Sequence, residues 1–131
     1  MKRTGIMNSE IAAVVARMGH GDLLAIGDAG LPVPAGTKRI DLALEPGTPP
    51  FLQVVRVVLT ELQVERALVA RETQEHNPFV YAGLQEIFGR EGLEFITHGE
   101  LKELCARASA VIRTGECQPY ANIILRAGVI F

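Results

Sequence analysis

The feature that most limits the architecture is a series of short apolar runs separated by stretches of helical periodicity. Leu23–Gly27, Val64–Ala70, Leu93–Ile96 and Asn122–Arg126 are far shorter than a membrane span. Leu23–Gly27, apolar throughout, reads as a buried strand, and the other three read as strands as well. Arg39–Leu44 alternates polar and apolar residues, and Ser109–Arg113 is a further short run. Between them lie helical patterns. In residues 8–18, Ile11, Val14, Val15 and Met18 form one apolar stripe, with Asn8 or Ser9 to cap it and Gly19 as the C′ residue. In residues 51–62, Phe51, Val54, Val55, Val58, Leu59 and Leu62 keep the helical spacing despite a valine-rich composition, with Thr48 as a cap. Asn77-Pro78 opens a third helix that Gly89 stops, and Thr97-His98-Gly99-Glu100 fits a capping box that opens a fourth.

About six strands alternating with four helices predict an α/β fold: a three-layer α/β/α arrangement with a central mostly parallel or mixed sheet. The 131 residues suit one domain, residues 1–131, and nearly half of them are hydrophobic, enough for a real core. Formal charge is −2 with no Lys/Arg-rich run, which argues against a nucleic-acid partner. No apolar stretch is long enough for a membrane span, and Met1-Lys2-Arg3-Thr4-Gly5-Ile6 lacks the apolar region of a secretory signal. The expected compartment is the cytoplasm. Cys105 and Cys117 form no CxxC and read as small buried apolar residues. His20, His76 and His98 share no metal-ligand spacing, so neither a metal nor any other cofactor is expected.

Ligands of such folds sit outside the carboxyl ends of strands. Asp28 follows the first strand and His98 the fourth, so topology puts both there. His20, between Gly19 and Gly21 at the end of the first helix, is the first choice for an acid/base because imidazole exchanges protons near neutrality. The competing reading is a histidine that caps helix-end carbonyls. Asp28 could orient an imidazole, accept from a sugar hydroxyl, or close an Asx turn before Gly30. His98 could donate to a ligand from the first helical turn or stand there half-exposed. Asp22 and Asp41 are weaker candidates, and His76 reads as part of a cap sequence. Tyr120 and Asn122, which both donate and accept, suit a polyol. There is no phosphate-binding GxxxxGK[ST] loop, no Rossmann glycine triplet and no GxSxG, so neither a nucleotide nor a nucleophilic serine is required.

Several blocks, in order along nearly the whole chain, carry a family resemblance. They are Asn8-Ser9, Gly19-His20, Asp28-Ala29-Gly30-Leu31-Pro32, Arg39-Ile40-Asp41, Gln63-Val64-Glu65, His76-Asn77-Pro78, Thr97-His98, Val111-Ile112-Arg113, Gly115-Glu116-Cys117, Pro119 to Leu125 and Ala127-Gly128-Val129. With these the chain resembles the ribose pyranase/fucose mutarotase family. One departure is the segment between Asn77 and Thr97, shorter than the family pattern; it reads as a surface helix, where little chemical effect is expected. The resemblance implies a cofactor-free isomerase that interconverts the pyranose and furanose forms of D-ribose. It implies His20 as proton donor, and Asp28, His98, Tyr120 and Asn122 as sugar ligands, with Ala121 adding backbone. It also implies ring-shaped homo-oligomers, commonly decamers, with sites shared between neighbouring subunits. Asp28-Ala29-Gly30 and His98 favour the ribose branch. The alternatives are a mutarotase for another monosaccharide such as fucose, or a non-catalytic sugar-binding regulator. For the oligomer, Val129, Ile130 and Phe131 could be exposed contact residues or core.

Overall fold

The computed structural model describes residues 1–131. Its elements run in the order α1 (Ser9–Arg17), β1 (Leu23–Gly27), β2 (Arg39–Asp41), α2 (Phe51–Leu59), β3 (Val64–Ala70), α3 (Arg71–His76), α4 (Pro78–Phe88), β4 (Leu93–Ile96), α5 (His98–Cys105), β5 (Ala110–Arg113) and β6 (Ile123–Ala127). The six strands form one sheet in the order β2-β5-β1-β6-β3-β4. β1, β2 and β5 pair in parallel, as do β3 and β4; β6 lies between β1 and β3 and is antiparallel to both. Five strands therefore point one way and β6 the other, which makes the sheet mixed, as expected.

Side chains alternate across the sheet. Leu24, Ile26, Ile112, Ile123 and Leu125 face one way and pack with Ile11 and Val14 of α1, the α2 residues Phe51, Val54, Val55 and Val58, and Val80 and Leu84 of α4. Ala25, Val111, Ile124 and Ala70 face the other way and pack with Leu101 and Cys105 of α5 and with Leu31. β1 and the inner parts of β5 and β6 are sandwiched, which explains their near-continuous apolar sequence, while Arg39 and Asp41 of the edge strand β2 and Glu65 and Arg66 of β3 stay exposed. The valine-rich segment after Pro50 is a helix because its apolar residues fall on one face and five of them are buried.

The caps at Asn8, Asn77 and Thr97 form as read, the last as a complete capping box with Glu100. Other details differ. α3 was not expected: Arg71–His76 is polar, has no apolar period and forms directly after β3. Thr48 does not cap α2; Pro50 is its N-cap, and the Phe51 N–H donates instead to Glu116 Oε1, 3.3 Å away and 65 residues along the chain. Gly19 is not a left-handed C′ residue; Met18 ends α1 in an extended conformation, and the positive φ falls at Gly21. β2 stops at Asp41, whose carboxylate accepts from the Ala43 N–H at 3.0 Å. Cys105 is buried as expected, and burial pushes its thiol up to about 11, but Cys117 is exposed.

Candidate active site

Because β6 alone runs backwards, the carboxyl ends of β1 to β5 and the amino end of β6 lie along one edge of the sheet. Asp28 follows β1, His98 follows β4, and Asn122 precedes β6. This edge is where Asp28, His98, Tyr120, Ala121 and Asn122 gather.

Asn122 is fully buried. Its Oδ1 accepts from the Asp28 N–H at 3.0 Å, which ties the β1 exit to the β6 entrance. Its Nδ2 is buried with no acceptor in the chain. Such an orphan is costly and marks a place where a partner is expected. Gly27 is required beside it: a Cβ there would stand 2.6 Å from Asn122 Oδ1 and overlap Leu31. Asp28 does close the Asx turn, since Oδ1 accepts from the Gly30 N–H at 2.9 Å. Its second carboxylate oxygen makes no bond within the chain and remains available. Arg113 holds this loop from below, donating from Nη1 to the Ala29 carbonyl at 3.0 Å and gripping the Asp41 carboxylate with Nε and Nη2 at 3.0 and 2.6 Å. An open hollow of about 410 Å³ adjoins Asp28, walled by Gly30, Glu116, Cys117 and Pro119.

Tyr120 has φ +58°, the single non-glycine residue at positive φ. For a bulky residue this conformation is strained and persists only when the surroundings impose it. Two buried side chains do so. Thr73 Oγ1 donates to the Tyr120 carbonyl at 2.7 Å, and Asn77 Nδ2 donates to the Pro119 carbonyl at 2.8 Å. The phenol ring is thereby set edge-on to His98, with centroids 5.1 Å apart, and tilted against His76 at 5.6 Å. His98 is itself held by a 2.6 Å hydrogen bond from its backbone N–H to Glu72 Oε2, and its Nδ1 is buried without a partner. The site edge thus carries two unsatisfied polar atoms, a free carboxylate oxygen and a phenol, a set that donates and accepts as a sugar requires. Glu72, Thr73, Asn77 and Arg113 were not singled out in the sequence as supports of this site. Their bonds span between 26 and 84 residues, beyond the reach of any local pattern.

His20 is elsewhere. It precedes β1, at the opposite end of the sheet, and the length of β1, about 16 Å at 3.3 Å per residue, separates it from Asp28. The two side chains are therefore not brought together within one chain, and Asp28 does not orient the His20 imidazole there. The reason is the direction of β1, which carries one residue on its entrance and the other on its exit. His20 is exposed, and its Nε2 lies 2.8 Å from Glu65 Oε2. It does not cap helix-end carbonyls, so the structural reading of its role is also set aside. No cluster of three or more His, Cys, Asp or Glu residues is arranged to hold a metal ion.

Comparison with known proteins sets this geometry in context. A D-ribose pyranase of Symbiobacterium thermophilum is 60% identical over the full length of both chains. One of Chloroflexus aggregans is 51% identical, also end to end. Both match over 131 residues, so the segment between Asn77 and Thr97 does not set this chain apart from them. The structure of Bacillus subtilis RbsD complexed with D-ribose superposes with a TM-score of 0.96 at 46% identity, covering all of both chains. A fucose mutarotase of Streptococcus pneumoniae shares the fold at a TM-score of 0.80 and 20% identity, over 95% of each chain. Residues 1–130 match the RbsD / FucU transport protein family, and the chain belongs to that family.

Proposed function

We propose that this protein is an isomerase that interconverts the pyranose and furanose forms of D-ribose, as the name of its 60%-identical relative suggests. The observation that carries the reading is the fully buried Asn122 amide, orphaned at Nδ2 beside a free Asp28 oxygen, on a chain that superposes end to end with a ribose-bound protein. Asp28, His98, Tyr120 and Asn122 hold the sugar, and Ala121 contributes backbone. Ring opening needs a proton on the ring oxygen as its bond to the anomeric carbon breaks, and the loss of the anomeric hydroxyl proton as the carbonyl forms. Rotation about the chain then presents a different hydroxyl to that carbonyl, and the reverse transfers close the smaller ring. Acid/base assistance of roughly 10²–10⁴-fold suits a reaction that already proceeds in water. His20 is the proton donor.

Since His20 and the sugar ligands occupy opposite ends of one chain, the working site draws them from two neighbouring subunits. The assembly is a ring-shaped homo-oligomer, a decamer by family resemblance. Exposed Leu44, Phe79, Ile130 and Phe131 supply apolar surface for its contacts. Val129 to Phe131 is thus contact surface and not core. No helix is long and apolar enough to cross a membrane, and the cytoplasm is the proposed compartment.

Saturation-transfer NMR on ribose tests the activity. The wild type accelerates pyranose–furanose exchange above the buffer rate, and His20→Ala returns it towards that rate by about 10²-fold or more. Buffer-level exchange with wild-type protein that still binds ribose would identify a non-catalytic sugar-binding protein instead. L-fucose in the same assay is expected to show no acceleration.

A further inference from the structure

We propose that Glu65 is a positioning residue for His20: it keeps the proton on Nε2, so that Nδ1 is the atom that exchanges protons with the sugar. This rests on the role proposed above for His20 and extends it to a specific ring nitrogen and a second residue.

Three observations carry it. First, Glu65 Oε2 lies 2.8 Å from His20 Nε2. A carboxylate only accepts, so Nε2 must bear the hydrogen, and the bond made by one imidazole nitrogen decides the state of the other. Second, the other carboxylate oxygen, Oε1, lies 3.0 Å from Arg126 Nε. That Nε is buried and its N–H is not aligned with any acceptor, so the contact is charge attraction and not a formed hydrogen bond. It still anchors the carboxylate on the side away from the histidine. Third, the backbone is shaped to aim Glu65. Val64 pairs with Ala127 and Arg66 with Arg126, so β3 carries one extra residue there, and that residue is Glu65. A β-bulge re-aims the side chain it carries. The loop holding His20 is fastened to the same spot: the Gly21 N–H donates to the Ala127 carbonyl and the Ala127 N–H to the Asp22 carbonyl, both at 2.9 Å.

In the reaction the imidazolium gives its Nδ1 proton to the ring oxygen and becomes neutral imidazole, still protonated at Nε2. The anomeric hydroxyl proton passes to solvent as the carbonyl forms; on reclosure Nδ1 takes the proton of the attacking hydroxyl, and the carbonyl oxygen regains one from solvent. Glu65 neither gains nor loses one.

The wild-type protein tests the tautomer directly. Nitrogen-15 correlation spectra of the histidine rings at alkaline pH, with the His20 signals assigned through His20→Ala, are expected to show Nε2 protonated and Nδ1 bare. The reverse tautomer overturns the proposal. Glu65→Ala is expected to lower the exchange rate at saturating ribose by about 10- to 100-fold, with ribose affinity within about twofold. Glu65→Gln, which keeps an accepting oxygen, restores most of the rate and retains the tautomer. Full exchange activity in Glu65→Ala beside an inactive His20→Ala overturns the positioning role and leaves His20 as proton donor. An active His20→Ala removes the proton-donor role itself. If Glu65→Ala fails to fold, the wild-type tautomer and the Glu65→Gln rate decide the matter.

Discussion

Asp28 combines a structural role with room for the one proposed for it, because only one of its two oxygens is employed within the chain. Oδ1 closes the turn to Gly30 while the other oxygen stays open to the edge of the sheet. What keeps the turn in place is the pair beneath it. The Arg113 guanidinium bonded to Asp41 holds that carboxyl below the usual value of 3.8, and the same bond raises the Arg113 value. A carboxyl lowered in the folded state contributes stability above its unfolded value and loses it as pH falls through the folded one. The Asp41 contribution is therefore complete from about pH 5 upward and disappears below 3.8. The pair is partly exposed, so the effect is modest. Asp41→Asn should lower the Tm at pH 7 by about 2–5 °C, and the gap from wild type should narrow progressively as pH falls below 3.8. A gap that persists unchanged in acid would mean that the ion pair does not hold the loop. Ribose affinity should fall in parallel at pH 7, because Arg113 also grips the Ala29 carbonyl.

At the scale of elements, the decisive one is the segment from Pro119 into β6. Its reversed direction places the amino end of a strand among five carboxyl ends, so that Asn122 bonds the β1 exit. The unexpected helix α3 then supplies Thr73, whose hydroxyl fixes the Tyr120 carbonyl. Thr73→Ala removes a bond made by a fully buried hydroxyl and is expected to destabilise the fold by about 1–2 kcal/mol. It should also weaken ribose binding more than it weakens the fold elsewhere, because Tyr120 is released from positive φ. Chemical denaturation and ribose titration of the same variant check both; stability loss with unchanged affinity would separate the strain from the site. The strands, the four expected helix starts and three of their four caps were legible because burial and capping chemistry leave local signatures. α3 was not, since six polar residues without a period carry none. The candidate ligands were legible as residue types. Their grouping depends on sheet order and on the direction of β6, which no spacing along the chain encodes.

For the whole molecule, the distance along β1 is the controlling fact. Reacting atoms must approach to about 3–3.5 Å, and His20 lies a strand's length from the ligands of its own chain. One pentose cannot touch both, so catalysis by His20 requires a second subunit to bring its entrance loop to this subunit's exit edge. On the proposed role of His20, activity is a property of interfaces, which gives a complementation test. His20→Ala and Asn122→Ala should each be inactive alone. When the two are unfolded, mixed in equal amounts and reassembled, an interface receives an intact His20 from one neighbour and an intact Asn122 from the other in about a quarter of cases, as expected for random subunit placement in a closed ring of head-to-tail contacts. Ribose exchange should return to about that fraction of the wild-type rate. Recovery also requires an assembled particle, so dilution below the assembly threshold, followed by light scattering, should abolish exchange and ring mass together. Mixtures that stay inactive while the mass remains that of the ring would place His20 outside the reaction, since no rearrangement within a single chain can move it around the end of a five-residue strand.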